Sequence, residues 1–144
     1  MKRVILLMTL LAAAGCGGSD STAPTLPPTS VGVFTTTDLT IGTGVTAVNG
    51  SRVVTPYSGW LYDTGKPFGK GNVFDAGTAG PLSFTIGAAN LITGFQQAVV
   101  GMRVGGSRRV IIPPELAYGS STPDPSKIPP NATLVFEITL TSAQ

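Results

Sequence analysis

From Val31 onward, β-branched and aromatic residues come in short runs cut by Gly and Pro, and only one stretch carries apolar residues at helical spacing. That punctuation limits the fold most, because such runs fit a pleated, half-buried surface and the breakers fit turns between strands. The expected strands are Asp38 to Ile41, Arg52 to Leu61, Leu82 to Ile86, Ser107 to Ile112 and Ala132 to Thr141. Pro56 falls inside the second and cannot donate a ladder hydrogen bond, so an edge, bend or bulge is expected there. The helical stretch runs from about Gly94 to Val100. Thr93 is placed to cap it, with Gln96 three residues on as in a capping box and Gly101 at its end. Phe95, Ala98, Val99 and Met102 share one apolar face. Several strands and one short amphipathic helix give an α+β domain with the helix packed on an antiparallel sheet.

The first fifteen residues are laid out differently. Lys2 and Arg3 precede an apolar run from Val4 to Leu11, and small residues follow to Gly15, the layout of a secretory signal too short to span a bilayer as a helix. Ala13-Ala14-Gly15-Cys16 resembles the lipobox of bacterial lipoproteins, which implies a lipid on Cys16. An A-x-A cleavage site leaving a soluble periplasmic or secreted protein is the alternative. The expected organisation is therefore a signal peptide at 1–15, a lipidated cysteine and Ser/Thr/Pro/Gly linker at 16–30, and one domain at 31–144. The expected localisation is an exported, membrane-anchored lipoprotein facing the periplasm or cell exterior.

Charge and residue types narrow the chemistry. Without the signal the chain holds seven basic and seven acidic residues, so the sequence pI near 8.9 owes much to Lys2 and Arg3. There is no basic run to track phosphates, and nucleic acid is not expected as a partner. A lone cysteine cannot form an intrachain disulfide, so the domain relies on its hydrophobic core. Histidine is absent, which removes Ser-His-Asp and Cys-His catalysis and the common His-containing zinc sites. No metal and no cofactor is expected, and any reaction should need little proton transfer.

Five segments in order carry a resemblance: VVTPYSGWLYDTG (Val53 to Gly65), VFDAG (Val73 to Gly77), PLSFTIG (Pro81 to Gly87), LITGFQQAVVGMRVGGSRRVIIPPELAYG (Leu91 to Gly119) and IPPNATLVFEITL (Ile128 to Leu140). Together they resemble the signatures of the FKBP-type peptidyl-prolyl cis-trans isomerases. The resemblance implies a five- to six-stranded antiparallel sheet wrapped around the short helix, with an aromatic pocket between them. It implies catalytic positions at Tyr57, Phe74, Asp75, Phe95, Tyr118 and Phe136, and substrate-binding positions at Leu82, Leu91, Ile92 and Ile128. The backbone of Ile92, the N–H of Ile128 and the Tyr118 hydroxyl are expected to hold peptide. The implied partners are proline-containing polypeptides and macrolides of the FK506 and rapamycin class, bound by a monomer.

Each of these residues also has a plainer reading. Phe74, Phe95 and Phe136 suit the core of any sheet-on-helix domain, Tyr57 and Tyr118 suit half-buried positions with a wet hydroxyl, and Asp75 suits the turn that Ala76-Gly77 would make. Three departures from the resemblance stand out. Leu82 occupies a position often aromatic, and Phe95 stands where an indole is usual. The loop from Asp75 to Pro81 lacks the arginine that commonly pairs with the aspartate. The segment from Tyr62 to Val73 also has extra residues around Gly65 to Gly71. Two other functions are open: a proline-peptide-binding or chaperone domain of the same fold with little turnover, and a structural lipoprotein whose β-rich domain packs against envelope partners.

Overall fold

The computed structural model describes residues 32–144. The expected signal segment, the lipid site at Cys16 and the linker lie outside the described residues. Eight strands form, all pairings antiparallel: β1 (Thr35–Thr40), β2 (Arg52–Thr55), β3 (Tyr57–Tyr62), β4 (Lys70–Asp75), β5 (Leu82–Thr85), β6 (Ser107–Ile112), β7 (Leu134–Thr139) and β8 (Ser142–Ala143). The order β1-β6-β7-β3-β4 makes one sheet and β5-β2-β8 a second.

The two sheets are one surface bent at a corner. Pro56 separates β2 from β3, as its missing N–H requires, and its carbonyl accepts from the Thr139 N–H where β7 ends. On the far side of that bend the Thr141 N–H donates to Val54 O, so both chain segments change sheet at the same place. The single expected strand from Arg52 to Leu61 is thus two.

The helix α1 (Thr93–Val99) packs on β6. Gly94 permits this approach, since a Cβ there would collide with the Ile112 side chain. Phe95, Ala98 and Val99 are buried with Met102 just beyond the helix. They meet the inward residues of the strands: Val53, Phe84, Val110, Ile112, Leu134, Phe136 and Ile138. Full burial of a side chain such as Phe95 is worth roughly 1.5–3 kcal/mol, so this face holds the helix against the sheet despite its two turns.

Two local expectations are corrected. Thr93 does not cap the helix: Ile92 is the N-cap and makes no side-chain cap bond. Gln96 does not close a capping box either, because its amide reaches a neighbouring loop. The extra residues near Gly65 form a short 3₁₀ turn (Pro67–Gly69) that folds onto the outer face of the sheet. Phe68, at φ +59°, sets its ring over the Arg109 guanidinium at 4.2 Å, and Lys70 lies over the Trp60 ring at 4.1 Å. Glu137, on the same face, accepts from Lys70 and Arg109, each at 2.8 Å.

Candidate functional site

Four strands and the helix converge on a small cavity of about 50 Å³. Tyr57 comes from β3, Phe74 and Asp75 from β4, Leu82 from β5, Phe136 from β7 and Phe95 from α1. Leu91, Ile92 and Tyr118 come from loops. Nine of the ten residues expected at a pocket are thereby brought together. Two larger recesses lie elsewhere, about 90 Å³ near Asp38 and Arg103 and about 420 Å³ beside Gln96, and neither is lined by an aromatic residue.

The walls are a chain of edge-to-face rings. Phe136 meets Phe95 at 5.3 Å between centroids and 89°, and Phe74 at 5.5 Å and 85°. Tyr57 meets Phe95 at 5.4 Å and 80°. Such pairs add about 0.5–1.5 kcal/mol each beyond area burial, and they fix ring orientation. Gly59 lets the rings close over β3, because a Cβ at that position would lie 2.6 Å from Phe74 and 3.0 Å from Phe136. The sequence reading missed Phe84, whose ring braces Phe95 from behind at 6.0 Å. Its place in PLSFTIG, two residues after Leu82 on the same strand face, is the signal that marks it as inward.

Polar groups sit on one side. The Tyr57 hydroxyl donates to Asp75 Oδ2 at 2.7 Å, and the Gly77 N–H donates to Asp75 Oδ1 at 2.9 Å. Gly77 is at φ +71°, in the left-handed region, so Asp75 closes the expected turn while its side chain also lines the cavity. No ion pair forms at Asp75 among the described residues. Burial, the Asp75 hydrogen bond and the Asp75 charge push the Tyr57 phenol up to about 12. Burial and then the same charge raise Tyr118 above its ordinary value.

Ile128 is corrected. It is buried at 6% exposure, does not line the cavity, and its N–H donates to Asp124 O at 2.9 Å, so it is not available to a peptide carbonyl. The N–H of Ile92 makes no backbone hydrogen bond among the described residues. Chemically the arrangement is an apolar, ring-lined recess with a carboxylate and two phenols at its edge. The one hydroxyl paired with a carboxylate there, Tyr57 with Asp75, has its phenol pushed up to about 12 and so is poorly suited to attack as a phenolate. No group of three or more metal-binding side chains occurs among the described residues.

Comparison with known proteins places this geometry. The family model described as FKBP-type peptidyl-prolyl cis-trans isomerase matches residues 44–141. Among curated relatives, FK506-binding protein 3 of Candida albicans is 44% identical over 115 residues, covering 79% of this chain. FK506-binding protein 4 of Dictyostelium discoideum is 42% identical over 105 residues, covering 73%. The chain spans only 25% and 27% of those relatives' lengths. Among solved structures, AtFKBP13 aligns at a TM-score of 0.63 with 32% identity, covering 77% of this chain and 93% of that one. FkpA from Escherichia coli aligns at 0.62 with 32% identity, covering 77% and 48%.

The same relatives correct the expected localisation. Matching proteins from Spodoptera frugiperda and Drosophila melanogaster are named FK506-binding nuclear proteins, and those first described come from a fungus and from Dictyostelium. This points away from an exported, membrane-anchored lipoprotein.

Proposed function

The chain belongs to the FKBP-type peptidyl-prolyl cis-trans isomerase family, and from that premise we propose that its domain accelerates rotation about X-Pro bonds without covalent chemistry. The observation that carries this is the cavity in which Tyr57, Phe74, Phe95 and Phe136 meet edge to face with a carboxylate at the rim. Rotation must break amide resonance against a barrier of about 18–20 kcal/mol, and uncatalysed exchange takes tens to hundreds of seconds. The twisted amide has a less dipolar carbonyl than the planar one. A water-excluding apolar wall therefore stabilises it relative to the ground state.

The residues divide the work. Phe74, Phe95, Phe136 and Ile92 enclose the prolyl ring, and Leu82 and Leu91 extend the apolar mouth. The Ile92 N–H and the Tyr118 hydroxyl donate to peptide carbonyls. Tyr118 is a phenol at neutral pH, as an ordinary tyrosine is, and burial followed by the Asp75 charge raises its pKa further. Asp75, held by Tyr57 and Gly77, fixes the rim and places negative charge beside the rotating group. Proline-containing polypeptides are the substrates, and FK506-class macrolides compete for the same walls. This mechanism uses no general base, in keeping with a chain that contains no histidine.

The test is the cis-to-trans rate of a Leu-Pro peptide with the full chain, with and without such a macrolide. Acceleration that the macrolide abolishes supports the assignment. Peptide binding with no acceleration would favour a binding or chaperone role in its place.

A further inference from the structure

Leu91 and Ile92 line the cavity from a loop, residues 86–92, that has little backbone structure of its own. Its first turn is fixed: Ile86 exchanges hydrogen bonds with Gly50 and Ser51, and the Ala88 N–H donates to Thr85 O. Beyond Ala88, none of its N–H groups makes a backbone hydrogen bond among the described residues, and the carbonyls of Ala89 and Leu91 accept from no backbone donor. One side chain meets that need. The Gln96 carboxamide accepts from the Gly87 N–H through Oε1 at 2.8 Å and donates through Nε2 to Leu91 O at 2.9 Å and Ala89 O at 3.3 Å. It sits one turn inside α1, next to Phe95, and does not itself line the cavity.

We infer that Gln96 is a positioning residue for the isomerase reaction, whose amide fastens the loop 87–91 to α1 and so sets where Leu91 and Ile92 stand over the pocket. The inference rests on the proposed isomerase function. The chemistry calls for an amide. The loop presents one donor and two acceptors, and only a side chain that accepts at one atom and donates twice at another satisfies all three. Each of these bonds holds the loop to the helix, and leaving the partly buried Leu91 or Ala89 carbonyl unpaired costs more than losing the exposed bond at Gly87. Gly87, at φ +88° and exposed, is the pivot about which the freed loop would swing. The residues beside Gln96 in the neighbouring groove are Asn49, Ile86, Gly87, Thr93, Gln97 and Val100. None of them is charged, so a new charge at this position would have no counter-ion there.

Two variants test the tether. Gln96→Leu keeps most of the volume and removes all three bonds. Gln96→Glu keeps the acceptor for Gly87 but turns a carboxylate oxygen toward two carbonyls. For Gln96→Leu, the expectation is a kcat/KM for a Leu-Pro peptide lower by about tenfold, mainly through KM, with faster hydrogen exchange at the Gly87 amide. Gln96→Glu should be partly active and should recover as pH falls from about 8 to about 5. Protonation restores one donor for Leu91 O, and crowding by the carbonyls raises the new carboxyl above its usual value of about 4.3. The wild type should show no such change, since no histidine titrates in that range. A Gln96→Leu protein that melts lower yet keeps wild-type kcat/KM would reduce Gln96 to a structural residue and overturn the inference. So would a Gln96→Glu profile parallel to that of the wild type. A wild type without turnover would sink the isomerase function instead, while exchange at Gly87 would still report on the tether.

Discussion

Gly59→Ala offers the sharpest test of how the pocket walls are built. Gly59 pairs with Phe136 across β7 and with Asp75 across β4, so the two rings that cover it belong to the neighbouring strands. A Cβ there would lie 2.6 and 2.7 Å from ring atoms of Phe74 and 3.0 Å from Phe136, against 3.4 Å where ordinary contact begins. The Phe74 ring must therefore retreat by about 0.8 Å, and its edge-to-face contact with Phe136 must open or tilt. Overpacking of this size costs about 1–3 kcal/mol, which for a domain of this length lowers Tm by roughly 4 °C per kcal/mol. Because the displaced rings are the proposed walls, kcat/KM should fall by more than the lost stability explains, about tenfold at a temperature where the variant is fully folded. The measurement is thermal melting followed by prolyl isomerisation of a Leu-Pro peptide on the folded variant. Unchanged Tm and unchanged turnover together would refute the packing of Phe74 and Phe136 over β3.

Other expectations follow from the ionisable groups. Asp75→Asn should lower the Tyr57 pKa from about 12, because the variant loses the Asp75 charge and exchanges a carboxylate acceptor for a weaker amide one while burial stays; an ultraviolet phenolate titration reads this directly. At Glu137, burial alone would raise the carboxyl, but hydrogen bonds and charge from Lys70 and Arg109 outweigh it and leave the pKa below its ordinary value of 4.5. A carboxyl depressed in the folded state contributes stability that is present above its unfolded pKa and is lost as pH falls through the folded one. Acid unfolding should thus steepen below pH 4.5, and Glu137→Gln should flatten that limb in a denaturant series taken across pH.

Most of the fold was legible because its signals are local. The β-branched runs, the Pro56 break and the apolar face of Phe95, Ala98 and Val99 each answer to neighbours within a few residues. What was missed depends on partners far along the chain. Strand β4 hid behind Gly71 and Asn72, and it exists because β3 supplies its ladder. Strand β8, two residues long, forms only against β2. Gln96 had the spacing of a capping box, yet the loop 87–91 offers its amide three partners and competes it away from the helix end. The pocket itself was read from ordered motifs that resemble a family, and nine of its ten residues converge as expected. Ile128 does not, since its N–H closes the turn onto Asp124 and its side chain joins the core. The Gly65 to Gly71 segment had no derivable role in sequence because its contacts, Phe68 on Arg109 and Lys70 on Trp60 and Glu137, cross the outer face of the sheet.

The most direct test of the central claim is kcat/KM for a Leu-Pro peptide in the double variant Phe74→Ala with Phe136→Leu, checked by circular dichroism for a retained fold. Removing one ring and trimming the other opens the wall to water while the core keeps most of its volume at Phe136. The expected result is a fall of roughly a hundredfold, about 2.7 kcal/mol of transition-state stabilisation. A folded double variant that turns over the peptide at the wild-type rate would contradict the assignment of this cavity as the place where the prolyl bond rotates.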